Sequence, residues 1–147
     1  MPTESPIRVA AIVRNEKAQV LLVHHFHRGS SFWTLPGGGL NELETPQDAV
    51  TREVAEETGH SIVLDGLAGM GVLRKDRWEQ AKVGLFFCAR STSVAEPRAE
   101  VGEKILEARF FDVTTIPASF RPRETLMLLD RTALVPCLEL TFVEDDA

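Results

Sequence analysis

Glu53, Glu56 and Glu57 lie in a segment that otherwise reads as a helix, Thr45 to Thr58. At about 100° per residue the three carboxylates fall within an arc of roughly 100°. Residues three and four apart on a helix are neighbours, so these like charges repel by a few tenths of a kcal/mol per pair. A fold gains nothing from such a cluster unless a cation sits against it. Local rules broken without local compensation tend to mark functional sites. The ends of the segment are well specified. Thr45 is a good N-cap, Pro46 suits the first helical position, and Asp48 makes a capping-box variant with Thr45. Gly59 is placed to end the helix in a left-handed conformation. Val50 and Val54, beside the acidic arc, would anchor the helix to a sheet.

The rest of the chain is mostly strand. Ile7 to Val13 and Gln19 to His25 are β-rich runs, and Asn15-Glu16-Lys17 suits a hairpin between them. Phe32 to Leu35 reads as a short strand stopped by Pro36 and the glycines Gly37, Gly38 and Gly39. Ser61 to Leu73 reads as extended, with Gly66, Gly69 and Gly71 permitting bulges. Lys82 to Arg90 alternates, with Val83, Leu85 and Phe87 on one face. Ser91 to Gly102 is loop-like and Ile105 to Asp112 is another strand. A second helix is expected from Arg121 or Pro122 to Thr132, on the spacing of Leu126, Leu129 and Ala133. Leu138 to Val143 would add a final strand. Strands outnumber helices and their connections are short, which predicts an α/β fold: a mixed sheet flanked by helices.

At 147 residues the chain is expected to form one domain, 1–147. A net charge of −6 with no polybasic run argues against a nucleic-acid or membrane-surface protein. It does not exclude a phosphate-bearing ligand, because a bound divalent metal changes the sign of the local field. Cys88 and Cys137 lack metal-site spacing and read as buried, reduced thiols. With no signal-like start and no apolar run near the roughly 18 residues of a membrane span, the expected location is cytoplasmic.

The polar and glycine positions form a pattern, G-x5-E-x7-R-E-U-x-E-E-x-G-U with U a bulky aliphatic, on Gly38, Glu44, Arg52-Glu53-Val54, Glu56-Glu57 and Gly59. This resembles the Nudix box of the Nudix hydrolases. The one departure is the last position, His60, where an aliphatic residue that packs is usual. Phe32-Trp33-Thr34-Leu35-Pro36-Gly37-Gly38-Gly39 resembles the family's approach to the box. Glu107-Ala108-Arg109-Phe110-Phe111 with Ile116-Pro117 resembles its later strand and turn. The resemblance implies an α/β/α sandwich with a central mixed sheet and a loop-helix-loop catalytic motif.

It also implies Mg²⁺ or Mn²⁺, hard cations that take oxygen ligands. The Gly37 carbonyl and Glu57 would be inner ligands. Glu53 and Glu56 would share direct or water-mediated contacts, and Glu44 would support the loop geometry. A further carboxylate from outside the box is expected, with Glu103 the first candidate and Glu100 the second. Arg52, four residues before Glu56, would pair with or orient that carboxylate. Glu53 is the candidate general base. The implied reaction is hydrolysis of a phosphoanhydride in a nucleoside diphosphate linked to a group X. The alternatives are a pyrophosphatase that sanitises oxidised nucleoside triphosphates and a non-catalytic nucleotide sensor.

Arg28, Trp33, Arg74 and Arg77 are candidate substrate contacts, and Lys75, Arg121 and Arg123 are further cations that could meet phosphates. For Trp33 and Trp78 the commoner role is packing, and for each arginine alone it is surface charge. Of His24, His25 and His27, only His25 and His27 share a strand face. With no acidic or cysteine partner nearby in sequence, they read as strand-end polar residues rather than a zinc site. The expected partners are a nucleotide-type small molecule and a second copy of the chain, two-fold dimers being the commonest oligomers.

Overall fold

A computed structural model describes residues 5–74, 79–99 and 105–129. Strands β1 (Ile7–Arg14) and β2 (Val20–His27) form the expected hairpin. Asn15 closes it, its side chain accepting from the backbone N–H groups of Lys17 and Gln19. β3 (Ser30–Thr34) pairs antiparallel with β2, and β4 (Gly37–Gly39) pairs antiparallel with β1. The glycine run was expected only to end a strand. It is a strand itself, because close approach of two backbones needs no side-chain pattern. Helix α1 (Pro46–Thr58) follows. Then come β5 (Ile62–Leu73), β6 (Lys82–Ser91) and β7 (Ile105–Phe111).

The sheet is mixed, in the order β3-β2-β1-β6-β5, with β4 added on β1 and β7 on β2. Among the described strand pairs only β1 and β6 run parallel. The bulges expected in β5 occur between Leu64 and Gly66 and between Leu67 and Gly69.

Alternation along the central strands buries both faces of the sheet. Val9, Ala11 and Val13 of β1, Leu21 and Val23 of β2, and Phe87 and Ala89 of β6 meet Ala49, Val50 and Val54 of α1. The opposite registers, Ile12, Val20, Leu22, Phe86 and Cys88, pack with Trp33, Leu35, Phe120, Leu128 and Leu129. Val50 and Val54 are fully buried, so the apolar side of α1 fixes its rotation as expected. The covering layer on the second face differs from the expectation. Arg123–Leu128 is a 3-10 helix rather than the start of an α-helix. Thr125 N–H bonds back three residues to the Pro122 carbonyl, as does Leu129 N–H to Leu126, and the Thr125 hydroxyl also takes the Pro122 oxygen. These short-range bonds use the groups that an α-helix would pair four apart. The proposed strand at Leu138–Val143, Ala133 and Cys137 lie outside the described residues. Cys88 is a buried free thiol. Among the described residues, no helix is long and apolar enough to cross a membrane.

Candidate functional site

The acidic helix is built as its sequence dictates. Thr45 is extended and its hydroxyl accepts the Asp48 N–H at 3.1 Å. Gly59 ends the helix at φ 74°, and its N–H returns to the Ala55 carbonyl. The buried valines set the rotation that brings Glu53 and Glu57 to the glycine strand and leaves Glu56 outward. Glu57 is 5% exposed and accepts the Gly37 N–H at 2.7 Å. Glu53 lies against Gly38, where a Cβ would come within 2.4 Å of its Oε1. The Glu56 side chain is 48% exposed.

Arg52 organises this face. Its Nε donates to Glu44 Oε2 at 2.8 Å and its Nη2 to Glu44 Oε1 at 2.9 Å. Nη2 also donates to the Gly39 carbonyl at 3.0 Å. Nη1 spans Glu53 (3.0 Å) and Glu56 (3.2 Å). The expected Arg52–Glu56 contact exists, but the bidentate partner is Glu44. Glu44 also accepts the Asn41 N–H, so one carboxylate clips the loop before the helix to the helix itself. Those bonds, Arg52 first and Asn41 second, hold the Glu44 carboxyl down at about 2. Arg52 is held protonated chiefly by Glu44, with Glu53 adding to it. Glu53 goes the other way. Burial pushes its carboxyl above the ordinary value, outweighing the Arg52 bond and charge, and Glu56 pushes in the same direction as burial.

Glu44 makes the stability of the fold depend on pH. Its pKa is depressed in the fold, so its stabilising effect is complete above the unfolded value near 4.5 and is lost as pH falls toward about 2. Glu44→Gln should therefore flatten the loss of stability across that window, with little change in the slope above it. Denaturant midpoints measured at several pH values check this.

Beside β4 lies a cavity of about 340 Å³. Gly37 and Gly38 form part of its wall, with Arg8 and Ala10 of β1, His25 and His27 of β2, Phe32 of β3 and Phe86 of β6; Arg121, Pro122 and Thr125 also line it. His25 stacks on Phe32, its Nε2 lies 2.9 Å from Thr34 Oγ1, and Arg121 packs over the Phe32 ring with Cζ 5.0 Å from the centroid.

The candidate substrate residues are scattered. Trp33 is 6% exposed, stacked on His24 with the Phe111 edge and Arg109 against it, and does not line the cavity. Arg28 is exposed in the β2–β3 turn with φ 51°. Arg74 is exposed one residue beyond the cavity-lining Leu73. Arg77, Trp78, Glu100 and Glu103 lie outside the described residues. Sequence reasoning passed over Arg8 entirely. Its place follows from the β1–β4 register, Arg8 opposite Gly39, which no local signal announces.

His60, the departure from the pattern, is 3% exposed. Its Nε2 donates to the Ala95 carbonyl at 2.8 Å, which leaves Nδ1 facing the Ser91 hydroxyl at 2.6 Å. The Phe110 ring meets it at 65°. The side chain both packs and bridges, which an aliphatic residue could not do. Nearby, Thr92 N–H bonds to the Ser61 carbonyl and Arg98 N–H to the Thr58 carbonyl, so the 91–98 loop is zipped to the end of the helix.

Among the described residues, no three Asp, Glu, His or Cys side chains are drawn together as a metal cluster. The donor chemistry nevertheless fits a hard divalent cation. The carboxylates of Glu53, Glu56 and Glu57 share one side of a rigid helix. Burial raises the Glu53 carboxyl even with Arg52 bonded to it and the charge of Arg8 nearby. The missing Cβ at Gly38 keeps open the space in front of the Glu53 carboxylate.

Fold and site define an α/β protein that presents an acidic helix to a glycine strand at the wall of a cavity. The NUDIX domain model matches residues 4–129, and the chain belongs to that family. It is 37% identical over 76 residues to a putative 8-oxo-dGTP diphosphatase of Bacillus subtilis (strain 168), covering 52% of this chain and 48% of that protein. It is 32% identical over 127 residues to the 8-oxo-dGDP phosphatase NUDT18 of Danio rerio, covering 83% of this chain and 36% of that one. The chain thus spans about half or less of the length of these relatives. The crystal structure of a MutT NUDIX hydrolase from Burkholderia pseudomallei shares the fold at TM-score 0.73 and 21% identity, covering 89% of this chain and 100% of that one.

Proposed function

We propose that the protein hydrolyses a phosphoanhydride bond in a nucleoside diphosphate linked to a second group X, with Mg²⁺ or Mn²⁺. The observation that carries this reading is the set of three glutamates on one face of α1, with Glu53 half-buried against Gly38. Glu53, Glu56 and Glu57, with the Gly37 carbonyl, would hold the cation, and Glu103 would be the further carboxylate from outside the box. A divalent ion supplies polarisation of phosphoryl oxygens, a more acidic attacking water and neutralisation of leaving-group charge.

The chain's own residues do the rest. Glu53, with its carboxyl raised by burial, is suited to take a proton from water. Arg52 keeps Glu53 and Glu56 oriented while Glu44 keeps Arg52 in place. The cavity beside Gly37 and Gly38 is the place for the group attached to the phosphates; its volume is at the lower end for small-molecule sites.

A second reading, sanitising of oxidised nucleoside triphosphates or diphosphates, is favoured by the names of the Bacillus and Danio relatives. One panel separates the readings: ADP-ribose, nucleotide sugars, dinucleoside polyphosphates and oxidised nucleotides with Mg²⁺, products resolved by chromatography. Turnover of an oxidised nucleotide alone selects the second reading. Nucleotide binding without turnover of any compound rejects both in favour of a sensor.

A further inference from the structure

We propose that Arg8 is a phosphate-binding residue, gripping the phosphate nearest the cavity. The inference rests on the phosphoanhydride reading for the identity of its ligand. Arg8 stands on β1 opposite Gly39, and its Nη1 lies 3.7 Å from where a Gly39 Cβ would be. Arg8 lines the cavity together with Gly37 and Gly38, and its guanidinium borders the glycine strand.

The other arginines near this space are placed differently. Arg52 is bonded to Glu44, Glu53, Glu56 and the Gly39 carbonyl. Arg121, exposed, packs over Phe32. Arg8 is half-buried, and among the described residues it donates no hydrogen bond and closes no ion pair. A guanidinium carries five donors in a planar fork that matches phosphate oxygens in pairs. Partly removed from water and without a protein acceptor, that fork is best satisfied by an anion entering the cavity. The charge of Arg8 is felt by the nearby Glu53 carboxylate, but that carboxylate takes its hydrogen bond from Arg52. A phosphate held here would lie beside β4, next to the acidic face, with the rest of its molecule directed along the cavity.

The test is titration of inorganic pyrophosphate with Mg²⁺ into the whole chain, followed by calorimetry, for the wild type, Arg8→Gln, Arg8→Lys and Arg90→Gln. Arg90 of β6 is the control for net charge, since it is paired with Asp65 of β5 and does not line the cavity. Arg8→Gln should bind pyrophosphate about ten-fold more weakly or worse. Arg8→Lys should recover part of that loss, and Arg90→Gln should stay within about two-fold of the wild type. Ligand-free melting temperatures show that each variant is folded, and Arg8→Lys carries the test if Arg8→Gln is not. Arg8 variants that bind like the wild type, an equal loss in Arg90→Gln, or a wild type that does not bind pyrophosphate would each overturn the assignment. Failure of the broader reading looks different: Arg8-dependent pyrophosphate binding in a protein that hydrolyses no nucleotide of the panel.

Discussion

Replacing Glu56 and Glu57 together by glutamine should lower Mg²⁺-dependent nucleotide hydrolysis by about a thousand-fold or more, while the chain stays folded. Glutamine keeps the shape and an acceptor oxygen, so the bond from Gly37 N–H to position 57 can persist. Glu56 is half-exposed and loses one contact with Arg52, an exposed helix pair of small energy. What the double variant removes is two negative charges from the face that would carry the cation. Two readouts check this: initial rates across a Mg²⁺ titration, and Mn²⁺ affinity from its paramagnetic signal. Undiminished metal-dependent hydrolysis in the double variant would sink the metal-cradle reading, and unchanged Mn²⁺ affinity would remove these two residues from it.

Adjacent glycines should respond in opposite ways. A Cβ on Gly37 would lie 2.0 Å from the Val9 carbonyl oxygen and 2.8 Å from Ala10 Cα. Those are backbone atoms of the central strand, so the β1–β4 pairing must open. Gly37→Ala should destabilise the fold by on the order of 2–4 kcal/mol. A Cβ on Gly38 meets instead the carboxylate of Glu53, at 2.4 Å from Oε1 and 2.5 Å from Cδ. That is the far end of a flexible side chain, which can swing away. Gly38→Ala should therefore cost about 1 kcal/mol or less in stability. It should lower turnover on the order of a hundred-fold, since misplacement of a reacting group by about 1 Å has that effect. Chemical denaturation and steady-state kinetics on the two variants read both halves. Equal stability losses would mean that Glu53 is not free to move.

The parts of this molecule that were legible in the sequence are those set by local chemistry. Thr45, Pro46 and Gly59 bound the helix because capping involves residues three or four apart. The β1–β2 hairpin follows from Asn15, whose side chain bonds its own turn. The carboxylates were visible as an electrostatic anomaly. What was hidden depends on contacts between distant segments. Arg52 was linked by spacing to Glu56, yet its fork closes on Glu44, eight residues earlier, because the loop before the helix folds back on it. The glycine strand carries no alternating pattern, so its pairing with β1 was silent, and Arg8 with it. The cavity gathers residues from β1, β2, β3, β6 and the segment after Phe120, a convergence no window of sequence contains. Trp33 is an aromatic beside the glycines in sequence, but strand alternation turns it to the packed face.

His60 ties the far end of the acidic helix to Ser91 and Ala95, and Thr58 holds the same loop through Arg98. The box helix and the 91–98 segment therefore share one mechanical frame. A helix that must hold three mutually repelling groups in fixed rotation gains a clamp at the end opposite its Arg52–Glu44 clip. The same clamp makes the loop a dependent part: changes in its length or sequence at Ala95 reach the helix terminus directly. In this chain, diversification of the loop is coupled to the alignment of the acidic face, and histidine at position 60 is the hinge pin of that coupling.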